Sequence, residues 1–167
     1  MNKLFDKENV KYVVIDGETE SLSLLSARPW EWAWLVVEND KIVEEHQKFP
    51  FIHDLKVSEG AARVTGFNTK EYKSKSEPAI DVYNTLAPLF YNKEYYIVGA
   101  NYLFFDIFQW KNFCKYLGKP IDYSYINRVI DTKCLGKAYQ LGIEFPKNIK
   151  DMTPWMYKIG AIRKKGL

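Results

Sequence analysis

The chain predicts an α/β fold, a mixed sheet with helices on its faces, and three observations predict it. A short apolar run rich in β-branched residues, Tyr12-Val13-Val14-Ile15, stops abruptly at Asp16-Gly17-Glu18-Thr19, as a strand does when its end opens onto a site. Two further strand-like segments, Trp30 to Glu38 and Ile42 to Phe49, are joined by the turn residues Asn39-Asp40-Lys41 and form an antiparallel meander with the first. Beyond Glu77 the pattern changes to helix and strand in alternation, which lays strands parallel.

In order along the chain, Met1 to Lys11 is a polar lead-in. The apolar run 12–15 is too short for a helix and reads as a strand buried on both faces. Side chains alternate along it, so Asp16 and Glu18 point to one side, roughly 6–7 Å apart at their Cα atoms. Glu20 to Ser26 is a loop with apolar teeth, and Pro50 stops the meander because it has no N–H for a ladder. Ser58 to Gly66 is a short helix or turn closed by glycine. Glu77-Pro78 opens a helix, proline in its first turn, with Ala79, Val82, Leu86, Leu89 and Phe90 at helical spacing. Tyr95 to Gly99 is another buried strand. Ala100 to Asp106 leads into a helix carrying Phe108, Phe113, Tyr116 and Leu117 and ending at Gly118 and Pro120. Arg128-Val129-Ile130 is the last strand, followed by Asp131-Thr132 and a helix through Leu135 and Tyr139. No terminating element is read in the tail from Lys150, and no repeat or linker divides residues 1–167, which read as one domain.

Composition supports a real core: 47% of the 167 residues are hydrophobic and 16% aromatic. No apolar run approaches a membrane span, and Met1 to Glu8 lacks the apolar centre of a signal peptide, so a cytoplasmic protein with no membrane partner is expected. Cys114 and Cys134 lack the close spacing of a zinc or redox pair and read as reduced, packed thiols. A formal charge of +3 is compatible with a polyanionic partner but too small to identify one.

Two carboxylates on one face of a strand end repel unless a cation sits between them, and oxygen ligands suit hard divalent ions. Asp16 and Glu18 are therefore a candidate magnesium site; the ordinary alternative is a polar strand end without metal. Ligands in open α/β sheets collect at the carboxyl ends of the strands. The fourth strand delivers Asn101 to that edge and the following helix delivers Asp106, so three acids from two distant segments could meet there.

Four ordered pieces carry a family resemblance: Asp16-x-Glu18-Thr19 after an apolar strand, Ala62-x-Val64-x-Gly66, Val98-x-x-Asn101-x-x-x-Phe105-Asp106, and Val129-Ile130-Asp131-Thr132 with Leu135. Over roughly residues 10–140 the chain resembles the DnaQ-type 3′–5′ exonucleases of the DEDD superfamily. The resemblance implies a ribonuclease-H-like sheet of five strands, antiparallel meander plus parallel strands, flanked by helices. It also implies a two-metal phosphodiesterase, using magnesium or alternatively manganese, that removes mononucleotides from a single-stranded DNA 3′ end. RNA is the alternative substrate and a DNA polymerase a further partner. In that scheme Asp16 bridges both ions, Glu18 holds the water-activating one and Asp106 supports the other. Thr19 matches a residue that holds the terminal nucleotide, Leu22 an apolar wedge between the last two bases, and Asn101 a polar residue beside the scissile strand, with Phe105 packing nearby. Helix capping for Asn101 and plain core for Phe105 are the ordinary readings. Asp131 is assigned to helix capping, and Trp30, Trp32, Trp34, Tyr102 and Phe104 to the core.

The departures are as specific as the matches. The resembled family completes its site with a His or Tyr general base followed by a fourth metal-binding Asp, and the tail from Lys150 to Leu167 has no such order. His46 and His53 lie far upstream and read as exposed or locally bonded. Three explanations are open: a fragment of a longer protein, a domain that binds nucleic acid without cutting it, or replacement of the missing pair by Asp151 and Tyr157. Gly17 stands where the family usually has threonine, Ser21 where it has glycine, and Ala100 where a His often precedes the asparagine.

Overall fold

The computed structural model describes residues 10–163. Residues 1–9 of the expected lead-in and Lys164 to Leu167 of the tail lie outside the described residues, and Lys11 already belongs to the first strand. Strands β1 (Lys11–Thr19), β2 (Pro29–Glu38) and β3 (Lys41–Lys48) form the antiparallel meander. Its hairpin turn has Asn39 and Asp40 at φ 50° and 59°, the pair of positive values that matches the right-handed twist of the flanking strands.

Pro50 ends the meander but not strand structure: Pro50–Phe51 (β4) pairs in parallel with Glu77–Pro78 (β5) in a separate two-stranded ladder. Between them lie helices α1 (Glu59–Thr65), closed by Gly66 at φ 71°, and α2 (Thr69–Lys75). The second was not legible because it carries one large apolar residue, Tyr72. Two other things hold it in place. Asn68 caps the Lys70 and Glu71 N–H groups, and the Tyr72 hydroxyl donates to Pro50 O and accepts from Ile52 N, both at 2.8 Å.

Helix α3 (Ala79–Tyr91) starts one residue later than the proline suggested, with Pro78 at the cap. Then follow β6 (Tyr95–Gly99), a single 3₁₀ turn at Tyr102–Phe104, α4 (Asp106–Tyr116), β7 (Val129–Asp131) and α5 (Thr132–Leu141). Arg128 belongs to the turn before β7. The five long strands lie in the order β3-β2-β1-β6-β7, with β1, β6 and β7 parallel, which is the mixed α/β sheet the sequence predicts.

One face of the sheet carries the core. Val13 and Ile15 from β1, Trp32, Trp34 and Val36 from β2 and Ile97 from β6 meet Val82, Leu86 and Phe90 of α3 and Trp110 and Phe113 of α4. Phe90 sits edge-on to Trp110 at 4.5 Å and stacks on Tyr125 at 5.1 Å. Each such side chain contributes about 1.5–3 kcal/mol by leaving water. Cys114 and Cys134 are free and buried, and burial pushes their thiols up to about 12 and about 11.

The far face corrects the expectation for β1. Val13 is fully buried, but Val14 is 38% exposed and Asp16 is open to solvent, so β1 is buried on one face only. Coverage of that side lies at the β7 end, where α6 (Met152–Ala161) reaches β7 and Ile130 is buried. Helix α6 itself corrects the reading of a tail without structure. Met152, Met156 and Ile159 recur at helical spacing and pack α6 on α5. Pro154 in the first turn, where proline is tolerated, and Gly160 at the close hid that spacing. Gly160 is required there, since a Cβ would lie 2.1 Å from the Phe104 ring.

Candidate active site

Asp16 and Glu18 lie towards the carboxyl end of β1, and Asn101 and Asp106 follow the carboxyl end of β6. Asp106 opens α4, where an acid is favoured by the helix dipole, and the side chain is only 2% exposed. Its carboxyl is pushed up to about 8, by burial first and then by the Asp16 carboxylate, with the Gly17 N–H among the groups that moderate the rise. Its Oδ1 is buried with no hydrogen-bond partner. Asp16 and Glu18 lie on the open face of β1. Partial burial raises both, and in Glu18 the carboxylates of Asp16 and Glu31 add to the rise. Asp16 therefore sits electrostatically between Glu18 and Asp106.

Two neighbours of this group escaped sequence reading. Glu31 stands directly across from Glu18 in the β1–β2 ladder and is held by Gln47 Nε2 at 2.6 Å. A nine-residue connection separates the two strands, so their register was not legible. Gln109, one turn into α4, donates from Nε2 to Gly17 O at 3.3 Å, and its Oε1, like Asp106 Oδ1, is a buried acceptor without a partner. Gly17 makes this approach feasible, because a Cβ would lie 2.5 Å from Gln109 Oε1 and 2.7 Å from the Trp32 ring.

Asp131 does more than cap a helix. Buried completely, its carboxylate accepts from Lys133 N (3.1 Å) and Cys134 N (3.3 Å) at the start of α5, as expected, and also from Asn101 N (3.0 Å) and Leu103 N (3.1 Å). One acid thus fixes the turn that carries the chain from β6 to Asp106. Asn101 holds φ 64° in that turn, a left-handed conformation asparagine tolerates, and makes no side-chain cap bond. Its Oδ1 accepts instead from Lys133 Nζ at 3.2 Å.

The other expected contacts lie at the end of β1, in the loop after it and at the cap of α4. Thr19 is buried and its hydroxyl donates to Ser21 O at 2.7 Å. Leu22 is 83% exposed. Its loop is held at both ends: Arg28 grips the Glu20 carboxylate through Nε (2.8 Å) and Nη2 (3.0 Å) and reaches Asp54 at 2.6 Å, while Asn112 donates to Leu24 O and Ala27 O. Phe105 is half-buried at the cap of α4. Tyr157 comes to a cleft with Leu24, Leu103, Phe104 and Ile107, whereas Asp151 is exposed at the start of α6. Of the two histidines, His46 stacks on Trp34 at 4.8 Å and meets Glu44 at 2.9 Å, and His53 is exposed.

Asp16 lines a groove of about 690 Å³ on the open face with Val14, Leu35, Val98, Ala100 and Thr132. Glu18 lines a smaller one of about 300 Å³ with Glu31, Asn68 and Glu71. Among the described residues, no three His, Cys, Asp or Glu side chains converge to metal-holding distance. The donor chemistry nonetheless fits a hard divalent cation. Magnesium commonly takes one or two protein carboxylates and fills its shell with water and substrate phosphate, and an unpartnered Asp106 oxygen beside Asp16 is that kind of donor set.

No family model and no curated protein matches this sequence. Solved structures do. The chain is similar to the metal-free form of an E. coli exonuclease I complex with single-stranded DNA, with a TM-score of 0.68 and 21% identity over 81% of this chain and 32% of that one. It is similar to product-bound exonuclease I, with a TM-score of 0.68 and 20% identity over 81% and 34%. A complex of exonuclease I with the SSB C-terminus gives 0.66 and 19% over 81% and 32%. The chain spans about a third of the length of these structures. At such identity the likeness shows the fold, which is the ribonuclease-H-like arrangement of these exonucleases.

Proposed function

We propose that the chain is the nuclease domain of a DnaQ-like 3′–5′ exonuclease, hydrolysing the terminal phosphodiester of a single-stranded DNA with divalent metal. The observation that carries the reading is the Asp16–Asp106 pair: two acids from sequence-distant elements, one buried with an orphaned oxygen and held up to about 8, at the strand ends of the sheet. Asp16 and Asp106 would hold the metal, with Glu18 the further acid on the same face of β1. When bound, two magnesium or manganese ions would supply an activated water and Lewis-acid stabilisation of the departing 3′-oxygen. The chain's own residues would orient the strand: Leu22 projects from a clamped loop to part the last bases, Thr19 holds the terminal nucleotide, and Asn101 stands beside the scissile strand with Phe105 packed nearby. From Lys150 onward no His or Tyr is followed by an Asp, so this reading assigns no general base and no fourth carboxylate.

A second reading, a domain that grips nucleic acid without cutting it, is favoured by one observation, the failure of three carboxylates to converge among the described residues. One experiment separates the two. With 5′-labelled single-stranded DNA and Mg²⁺ or Mn²⁺, the chain should shorten the strand stepwise. Asp16→Asn should slow this by more than about a hundredfold, since even groups that only support metal ligands are worth 10–100-fold. Binding without shortening under either metal selects the second reading, and an unchanged ladder in Asp16→Asn rejects the site. Matched DNA and RNA oligomers decide the sugar.

A further inference from the structure

Lys133 and Asn101 hang from the same atom. Asp131 Oδ1 accepts the backbone N–H of both, at 3.1 and 3.0 Å, which fixes the start of α5 against the end of β6. The two side chains then meet, Lys133 Nζ to Asn101 Oδ1, 3.2 Å. An ammonium only donates hydrogen bonds, so this contact settles which way the amide faces: its oxygen is turned to Lys133 and its NH₂ is turned away. Lys133 is exposed and keeps two further N–H groups. What this pair presents outward is a positive charge and donors, with no acceptor. The one carboxylate beneath it, Asp131, is buried and engaged by four backbone N–H groups.

Position gives the pair its meaning. Ala100 and Thr132, the chain neighbours of Asn101 and Lys133, line the groove that Asp16 lines. An edge bearing Asp16, Glu18 and Asp106 repels any polyanion. A fixed cation at the rim of that groove offsets the repulsion at the place where a strand would approach. Phosphodiester oxygens are the acceptors such a fork suits, and contacts of this kind position a strand without reading its sequence.

We infer that Lys133, oriented by Asn101, is a phosphate-binding residue for the nucleic-acid strand, next to the Ala100 and Thr132 side of the groove that Asp16 lines. The inference rests on the nucleic-acid reading of the site and names the contact through which the strand is held in register with the acids. Lys133 acts on the position of the strand, not on the reacting atoms.

The test measures binding, not cleavage. The affinity of the full 167-residue chain for a fluorescein-labelled oligothymidylate is followed by anisotropy, in EDTA, over a series of salt concentrations. Lys133→Gln should weaken binding several-fold at low salt and flatten the slope of log K against log salt by about 0.7, the loss of one phosphate contact on a single strand. Lys133→Arg should retain the slope. Lys41→Gln removes the same charge at the distant meander turn and should leave the slope unchanged, and all three variants should melt with the parent. A Lys133→Gln line parallel to the parent, or one flattened no more than that of Lys41→Gln, overturns the fork while the nucleic-acid reading stands. A parent chain that binds no oligonucleotide at any salt overturns both.

Discussion

Asp106 is the residue whose environment opposes its ordinary state. A carboxyl held at about 8 when folded, against about 3.9 when unfolded, binds more protons in the native state than in the unfolded one between those values, so stability falls as pH rises from about 4 to about 8. Asp106→Asn keeps the shape and removes the charge. In EDTA the variant should melt above the parent at pH 8, by an amount on the order of a few kcal/mol, and the gap should close near pH 4. Added Mg²⁺ should raise the melting temperature of the parent more than that of the variant. Parallel melting curves across this pH range would mean that the carboxyl is not held in the environment described. Gly17 belongs to the same account. It stands where the resembled exonucleases usually carry threonine, and the space a side chain would fill is taken by Trp32 and Gln109. The substitution is thus accommodated by the neighbours and leaves the acids on either side of it in place.

At the scale of an element, the loop between β1 and β2 is organised by charge. Burial alone would raise Glu20, but its hydrogen bonds from Arg28 and from the Lys56 N–H bring it below its usual range. Its contribution is therefore present above about 4.5 and lost as pH falls through the lowered value. Arg28 also lies over the Tyr116 ring at 5.6 Å, so it ties three segments together. Arg28→Met leaves a largely buried carboxylate unpaired and should cost about 3 kcal/mol in urea unfolding at pH 7, with much of that difference gone near pH 3. Leu22→Ala, by contrast, should not change stability, because its side chain touches water. If both variants unfold with the parent, the loop is not clamped as described. The helix after β7 shows the same logic on the other side of the site: Asp131 joins α5 to the turn before Asp106, so its removal would loosen both.

At the scale of the whole molecule, the asymmetry between the two faces of the sheet decides what is exposed. Adjacent valines in β1 report on it: Val13 faces α3 and α4 with no exposure, and Val14 faces the groove at 38%. Val13→Ala should cost about 2 kcal/mol in denaturant unfolding, and Val14→Ala under about 1 kcal/mol. Equal costs would show that another segment covers the groove in solution. Parallel strands are ordinarily covered on both faces, and here the central pair β1 and β6 is not. None of the helices among the described residues is long and apolar enough to cross a membrane.

Much of the fold was legible in the sequence because short-range physics writes it there. The apolar run before Asp16, the Asn39-Asp40 turn and the alternation after Glu77 each depend on a few neighbouring residues, and together they determine five strands and their connections. The same locality made Asp131 legible as a cap, and made α2 and α6 illegible, since Tyr72 alone and a helix interrupted by Pro154 and Gly160 carry no clear period. What only the tertiary structure decided is who meets whom across the sheet edge. Glu31 comes opposite Glu18 by a register no loop composition encodes, Gln109 reaches Gly17 from another element, and Lys133 finds Asn101 because both are tied to Asp131. Burial, which raises Asp106, and the open groove beside Asp16 are likewise sums over distant segments, and such sums exist only once the chain has closed on itself.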